Sequence, residues 1–126
     1  MARTKFILHP VGSAGDVYPF VGLGMALKSR GHDVTILTSE YFRDVVEQSD
    51  LEFVNSLPRA DFLKLIDNPN LWNPVRGAGT ILQSMTPELL DRCYRAIADR
   101  YVPEQTVLLA PVIGFAARLA LSLIHI

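Results

Sequence analysis

The chain has 126 residues, enough for one compact domain with a hydrophobic core and too few for two domains of ordinary size. Hydrophobic residues make up 49% of it and charged residues 20%, a balance that excludes intrinsic disorder and favours a soluble globular protein. The formal net charge is -1, with Lys and Arg spread along the chain, so we expect no nucleic-acid partner.

The composition also bears on compartment, membranes and metals. Cys93 is the single cysteine, which fits a reducing compartment, and we interpret it as a buried apolar residue rather than a catalytic thiol. No apolar stretch of signal-peptide length precedes Pro10, and the longest apolar run, residues 107–126, is interrupted at Gly114 and Arg118. We therefore expect a cytoplasmic protein with no membrane span and no metal site.

The first half of the chain alternates between short apolar strands and amphipathic helices. Buried strands are predicted at residues 5–8, 33–38 and 51–54. Ser39 is predicted to cap the helix that follows the second strand. The helix between the first two strands carries an apolar face and ends at a glycine; these residues are Phe20, Leu23, Gly24, Leu27 and Gly31. This order predicts an α/β fold with a Rossmann-like, doubly wound parallel sheet and helices on both faces.

The second half of the chain contains one long connection and one further repeat of the helix-strand pattern. Residues 67–79 are rich in Asn, Pro and Gly and are predicted to be irregular. Thr86 and Pro87 mark the start of a helix, and residues 106–110 are predicted to form a fourth buried strand. Long loops in compact domains are often functional, so residues 67–79 are candidates for a binding role.

The loop after the first strand is the main candidate site, because doubly wound sheets bind ligands beyond the carboxyl ends of their strands. A dinucleotide motif would need glycines where Ala14 and Val17 stand, and no Gly-Lys pair follows for a phosphate loop. What remains is a glycine turn that presents Asp16. A nucleotide-dependent oxidoreductase and a small flavodoxin-like binding module remain as alternative functions.

Asp16 has two possible roles that the residues alone leave open. As the N-cap of the first helix, its carboxylate would accept backbone hydrogen bonds and complement the helix dipole. As a functional group, it would stand at the mouth of the sheet and meet a ligand. Pro19 is compatible with either role if it falls within the first helical turn.

Two stretches, GSAGDVYPF at 12–20 and LGMALKSRGHDVT at 23–35, resemble the opening of the GT-B glycosyltransferases that act on sterols, glycolipids and antibiotic aglycones. A looser similarity continues through DNPNLWNP at 67–74. The resemblance implies the amino-terminal half of a GT-B fold, which binds the acceptor. It also implies that a carboxyl-terminal domain, not contained in this sequence, binds the nucleotide-sugar donor.

The resemblance assigns the chemistry to Asp16, which would act as the general base for transfer with inversion. His9, at the end of the first strand, is a rival base, although a structural role suits it better. The resemblance also implies substrate contacts from the loop and from one aromatic residue of the long connection; these residues are Gly12, Ser13, Gly15, Tyr18 and Trp72. Trp72 could instead pack the connection onto the domain.

This sequence departs from the family pattern at two loop positions. Ala14 stands where many members have Arg, and Tyr18 where many have Gln or His, which puts the contacts of those side chains in doubt. The implied co-substrate is a UDP- or dTDP-sugar, with no separate cofactor. The implied partner is a small-molecule or lipid acceptor, and peripheral attachment to a membrane is compatible with it.

The carboxyl end of the sequence carries a further expectation. Residues 1–120 are expected to form part of an acceptor-binding domain, incomplete at its carboxyl end. Residues 121–126 can be encoded by a transposon-end adapter of sequencing libraries, so we interpret them as a non-native tail. We expect the chain alone to be inactive, with an open sheet edge and poor solubility.

Overall fold

A computed structural model describes residues 2–123. The four strands are β1 (Lys5–Leu8), β2 (Asp33–Thr38), β3 (Glu52–Asn55) and β4 (Thr106–Leu109). The α-helices are α1 (Ala14–Ser29), α2 (Arg43–Gln48), α3 (Arg59–Ile66), α4 (Gly77–Ser84), α5 (Pro87–Ala98) and α6 (Phe115–Leu123). Two 3₁₀ helices, Glu40–Phe42 and Pro69–Trp72, precede α2 and α4.

The strands form one parallel sheet in the order β3-β2-β1-β4. Residues of β1 alternate between the two faces of the sheet: Leu8 packs with α1 and α2, whereas Ile7 packs with α5 and α6. Each face therefore buries its own apolar cluster beneath helices, as parallel sheets require. The predicted doubly wound α/β fold is confirmed.

Helix α1 starts earlier than the sequence pattern predicts, and three residues of the predicted apolar face, Phe20, Gly24 and Leu27, pack on the core. Its buried residues are Val17, Val21 and Gly24, whereas Leu23 is 42% exposed. Gly24 lies against the sheet so closely that a Cβ there would come within 2.9 Å of Leu51 Cδ1. Close packing at this glycine sets which side of the helix faces the sheet.

Pro19 does not fall in the first helical turn, because α1 begins at Ala14. It lies in the second turn, where proline removes the hydrogen bond to the carbonyl of Gly15. Gly15 is exposed, so water can reach that carbonyl. The helix tolerates Pro19 for that reason.

The connection at residues 67–79 is more regular than predicted. Asn68 Oδ1 accepts the N–H of Asn70 at 3.0 Å and so starts a 3₁₀ turn, and α4 already begins at Gly77. Asn73 Oδ1 accepts the N–H of Val75 at 2.9 Å. Asparagines that look like loop residues in the sequence therefore initiate helical turns.

Strand β4 is half-buried rather than fully buried, and Val107 is 40% exposed. Among residues 2–123, β4 pairs with β1 alone, so its other edge is open. Helix α6 continues to Leu123, and the remainder of the expected tail, residues 124–126, lies outside the described residues. Within residues 2–123, no helix is both long and apolar enough to cross a bilayer.

Candidate functional site

The turn between β1 and α1 is built by three residues. Ser13 is the N-cap of α1 in an extended conformation, and Asp16, in the first turn, accepts the Ser13 N–H through Oδ2 at 3.0 Å. Gly12 has a φ of 134°, and a Cβ there would lie 2.1 Å from Asp16 Oδ2. The glycine therefore permits both the bend and the position of the carboxylate.

One of the two predicted roles of Asp16 was that of helix N-cap, and Asp16 does not occupy that position. Ser13 takes that position, and Asp16 reaches back to it from the third helical residue, as an acidic residue does in a capping box. The bond to Ser13 uses Oδ2, and the Asp16 side chain remains exposed. Helix capping and contact with a ligand are thus compatible at this carboxylate.

His9 follows β1 and is 5% exposed. Its Nδ1 lies 2.9 Å from the carbonyl oxygen of Leu37 in β2. Burial lowers the pKa of His9 from its ordinary value, and the backbone hydrogen bond to Leu37 partly opposes that effect. Burial therefore favours the neutral form of His9.

A cavity of about 300 Å³ opens at the carboxyl ends of β1, β2 and β3. Its polar lining comes from the strand ends and the turn, including His9, Ser13, Asp16, Thr38 and Ser56. Apolar side chains from α3, α4, α5, the second 3₁₀ helix and the C-cap of α4 cover it; they include Phe62, Leu65, Leu71, Ile81, Leu89 and the C-cap residue Met85. This arrangement suits a mainly apolar molecule with a few polar groups.

The position of Trp72 is compatible with both of its predicted roles. Its indole Nε1 donates to the carbonyl of Ile66 at 3.0 Å, which ties the connection to α3. The side chain also lines the cavity and is 68% exposed. An aromatic face is thus held at the cavity rim by a fixed hydrogen bond.

The structure brings five of the seven predicted site residues to this cavity: His9, Gly12, Ser13, Asp16 and Trp72. The other two, Gly15 and Tyr18, are not among its lining residues. Tyr18 is 54% exposed and makes an edge-to-face contact with Phe42, with ring centroids 6.3 Å apart. The predicted substrate contacts of these two residues stay predictions.

The apolar wall of the cavity is the part that sequence reasoning missed. Phe62, Ile81 and Leu89 lie on amphipathic helices, where the same spacing also describes ordinary core residues. Cys93 also lines the cavity, and its buried Sγ donates weakly to the carbonyl of Ser56 at 3.9 Å. Burial raises the pKa of the Cys93 thiol to about 11, which opposes thiolate chemistry.

Known proteins with similar sequences and structures are glycosyltransferases. The chain is 47% identical over 49 residues to a sterol 3-beta-glucosyltransferase of Saccharomyces cerevisiae, covering 39% of this chain and 4% of that enzyme. It is equally identical over 49 residues to O-mycaminosyltylonolide 6-deoxyallosyltransferase of Streptomyces fradiae, covering 39% of this chain and 12% of that enzyme. The chain thus spans a small part of the length of these relatives.

The fold has close counterparts among solved structures. The crystal structure of CalG4, the calicheamicin glycosyltransferase, superposes with a TM-score of 0.70 at 23% identity, covering 97% of this chain and 30% of that one. The family model described as the glycosyltransferase family 28 N-terminal domain matches residues 6–121. The family resemblance drawn from the loop motif is confirmed, and it favours neither the oxidoreductase nor the flavodoxin-like alternative. The chain belongs to the glycosyltransferase family 28 N-terminal domain family.

Proposed function

We propose that the protein carrying this chain transfers a sugar from a nucleotide diphosphate donor to a hydroxyl of an apolar acceptor, with inversion. The main support for this proposal is that the exposed Asp16 carboxylate lies on the lining of a largely apolar cavity at the carboxyl ends of the strands. The cavity supports a lipid, sterol or natural-product acceptor. Two relatives are named for transfer to a sterol and to O-mycaminosyltylonolide.

In the proposed reaction, the acceptor oxygen attacks the anomeric carbon while the bond from that carbon to the diphosphate breaks. Asp16 takes the proton of the attacking hydroxyl. A carboxylate is a weak base toward an alcohol, so this transfer occurs as charge develops in the transition state, in a cleft closed to water. A second lobe, which holds a UDP- or dTDP-sugar, supplies that closure.

Exposed apolar side chains beside the cavity support acceptor delivery from a lipid surface to a cytoplasmic, peripherally attached protein. Trp72 is 68% exposed, Val75 89% and Leu82 56%. Between residues 68 and 87 the only charged residue is Arg76, so this surface lacks the acidic groups that anionic lipid would repel. Aromatic and aliphatic side chains of this kind are suited to the membrane interface.

The substitution Asp16→Asn tests the proposal in the complete reading frame. Asparagine can still accept the Ser13 N–H through its amide oxygen, so the helix cap is retained while the base is lost. We expect sugar transfer to fall about 10²- to 10⁴-fold. The measurement is turnover of UDP- and dTDP-sugars with a panel of apolar alcohols, and NMR of the product reports inversion.

The matched control is Asp44→Asn, which changes an acidic residue in the first turn of α2, away from the cavity lining. This control should keep wild-type turnover. Wild-type turnover in Asp16→Asn would remove Asp16 from the mechanism. Absence of transfer by the wild-type protein with every donor and acceptor would refute the proposed function.

A further inference from the structure

His9 is hydrogen-bonded to two neighbouring strands, and within the described part of the chain one of its two ring nitrogens is left without a hydrogen bond. Its backbone N–H donates to the carbonyl of Leu109 in β4 at 2.8 Å, and Nδ1 contacts the carbonyl of Leu37 in β2 at 2.9 Å. The backbone of His9 is thus bonded to β4 and its ring to β2. The Nδ1 hydrogen bond holds the ring in one orientation.

The contact with Leu37 decides which tautomer His9 adopts. A carbonyl oxygen can only accept, so Nδ1 carries the proton and donates it. Nε2 then has a lone pair and acts only as a hydrogen-bond acceptor. Among the hydrogen bonds of residues 2–123, none involves Nε2.

Neighbouring polar side chains do not satisfy this acceptor. The Ser39 hydroxyl donates to the carbonyl of Leu57 at 3.0 Å, and the Cys93 thiol is directed to the carbonyl of Ser56. The His9 side chain is 5% exposed, and its Nε2 is not among the fully enclosed unpartnered atoms of residues 2–123, so it opens onto the mainly apolar cavity. An acceptor that faces such a cavity favours a ligand that brings a donor.

We propose that His9 is a specificity-determining residue that accepts a hydrogen bond from a second hydroxyl or N–H of the acceptor. Asp16 is exposed and serves the hydroxyl that receives the sugar, whereas the mostly buried His9 binds a second donor group of the acceptor. This inference rests on the proposed function of the cavity. It narrows the acceptor class from apolar alcohols in general to those with a second donor group.

The test compares binding of decanediol, with a hydroxyl at each end, and decanol, which has one. The two probes share the same chain, so apolar area and flexibility largely cancel in the ratio of their Kd values. Calorimetry on the complete protein should give a decanediol-to-decanol selectivity about tenfold to a hundredfold greater in the wild type than in His9→Phe. Binding rather than turnover is measured, so a failure of catalysis does not obscure the result.

Two further variants separate recognition from structural damage. In His9→Gln the amide oxygen can occupy the place of Nε2, so the selectivity should largely return. His32→Phe is the matched control: His32 accepts the Thr4 N–H through Nδ1 at 3.2 Å and does not line the cavity, so the selectivity should stay at the wild-type ratio. Thermal unfolding verifies that each variant is folded.

If His9→Phe does not fold, nitrogen NMR of histidine-labelled wild-type protein provides the readout. Decanediol should shift the His9 Nε2 resonance, and decanol should shift it much less. Equal selectivity in wild type and His9→Phe, equal shifts with both probes, or no binding of either probe would overturn the inference. Selective binding without any sugar transfer would refute the proposed function alone.

Discussion

Gly12 and Asp16 form a pair in which one residue makes room for the other. The positive φ of Gly12 allows the bend, and the absence of a Cβ leaves space for the Asp16 carboxylate. Gly15, three residues later, has no atom within 4 Å of the place where a Cβ would be. The two glycines of the same motif therefore have different physical requirements.

We predict that Gly12→Ala destabilises the domain by roughly 1–3 kcal/mol and lowers sugar transfer, because alanine is strained at this φ and displaces the Asp16 carboxylate. Chemical denaturation and turnover measure the two effects. Gly15→Ala is the control and should leave stability unchanged or raise it by up to about 1 kcal/mol. A loss of transfer in a well-folded Gly15→Ala variant would support the predicted substrate-binding role of Gly15.

The sequence identified the residues of the turn but not how they act. Asp16 stood out because the glycine spacing excluded other loop types, yet its bond to Ser13 depends on where α1 begins. The role of His9 depends on Leu37, which is 28 residues away and on another strand. Such a partner has no local signature, so composition and spacing could not reveal it.

At the scale of elements, strands were easier to predict than helix starts. The predicted ranges 5–8 and 33–38 agree with β1 and β2, because buried parallel strands are short, continuous apolar runs between turn residues. Helix α1 was placed too late, because Ser13 and Asp16 begin it ahead of the apolar pattern. The cavity wall was not predictable, since it forms only when α3, α4 and α5 meet above the sheet.

Helix α5, which lines the cavity, depends on its N-cap residue for part of its stability. Thr86 Oγ1 accepts the N–H of Leu89 at 3.2 Å, as the start signal in the sequence predicted. We expect Thr86→Ala to lower the free energy of unfolding by about 1 kcal/mol, measured by chemical denaturation, and Thr86→Ser to restore it.

Thr80→Ala in α4 is the matched control for this prediction. The Thr80 Oγ1 donates to the carbonyl of Arg76. Alanine has no hydroxyl, so the variant loses this bond without leaving a side-chain donor unpaired. Because alanine is the better helix former, this variant should be neutral or slightly more stable. Equal losses in the two variants would mean that Thr86 does not act through its cap.

At the scale of the whole molecule, the open edge of β4 governs how the chain behaves alone. Val107 in β4 is 40% exposed, and Val112 and Phe115 beyond it are 79% and 40% exposed. An unpaired edge beside apolar side chains is a template for association between chains. A complete flavodoxin-like module would instead remain monomeric.

We therefore predict that the 126-residue chain self-associates in sedimentation velocity experiments. Val107→Lys should reduce this association, because a charge on an edge strand opposes pairing with a second copy. Met25→Lys adds the same charge on α1, where Met25 is 51% exposed, and should have little effect. A monomeric wild-type chain, or equal effects of both substitutions, would contradict the prediction.

The strand order also determines when the molecule can be completed during synthesis. The earliest strand, β1, lies at the centre of the sheet, and its Leu8 pairs with Leu109, roughly a hundred residues later. At 5–20 residues per second, a ribosome needs on the order of 5 to 20 seconds to cover that distance. Until then the nascent chain can assemble only β3, β2 and β1, and the His9 backbone lacks its partner in β4. The cavity therefore forms late in translation. Until β4 is made, the unpaired edge of β1 must be kept from pairing with other strands.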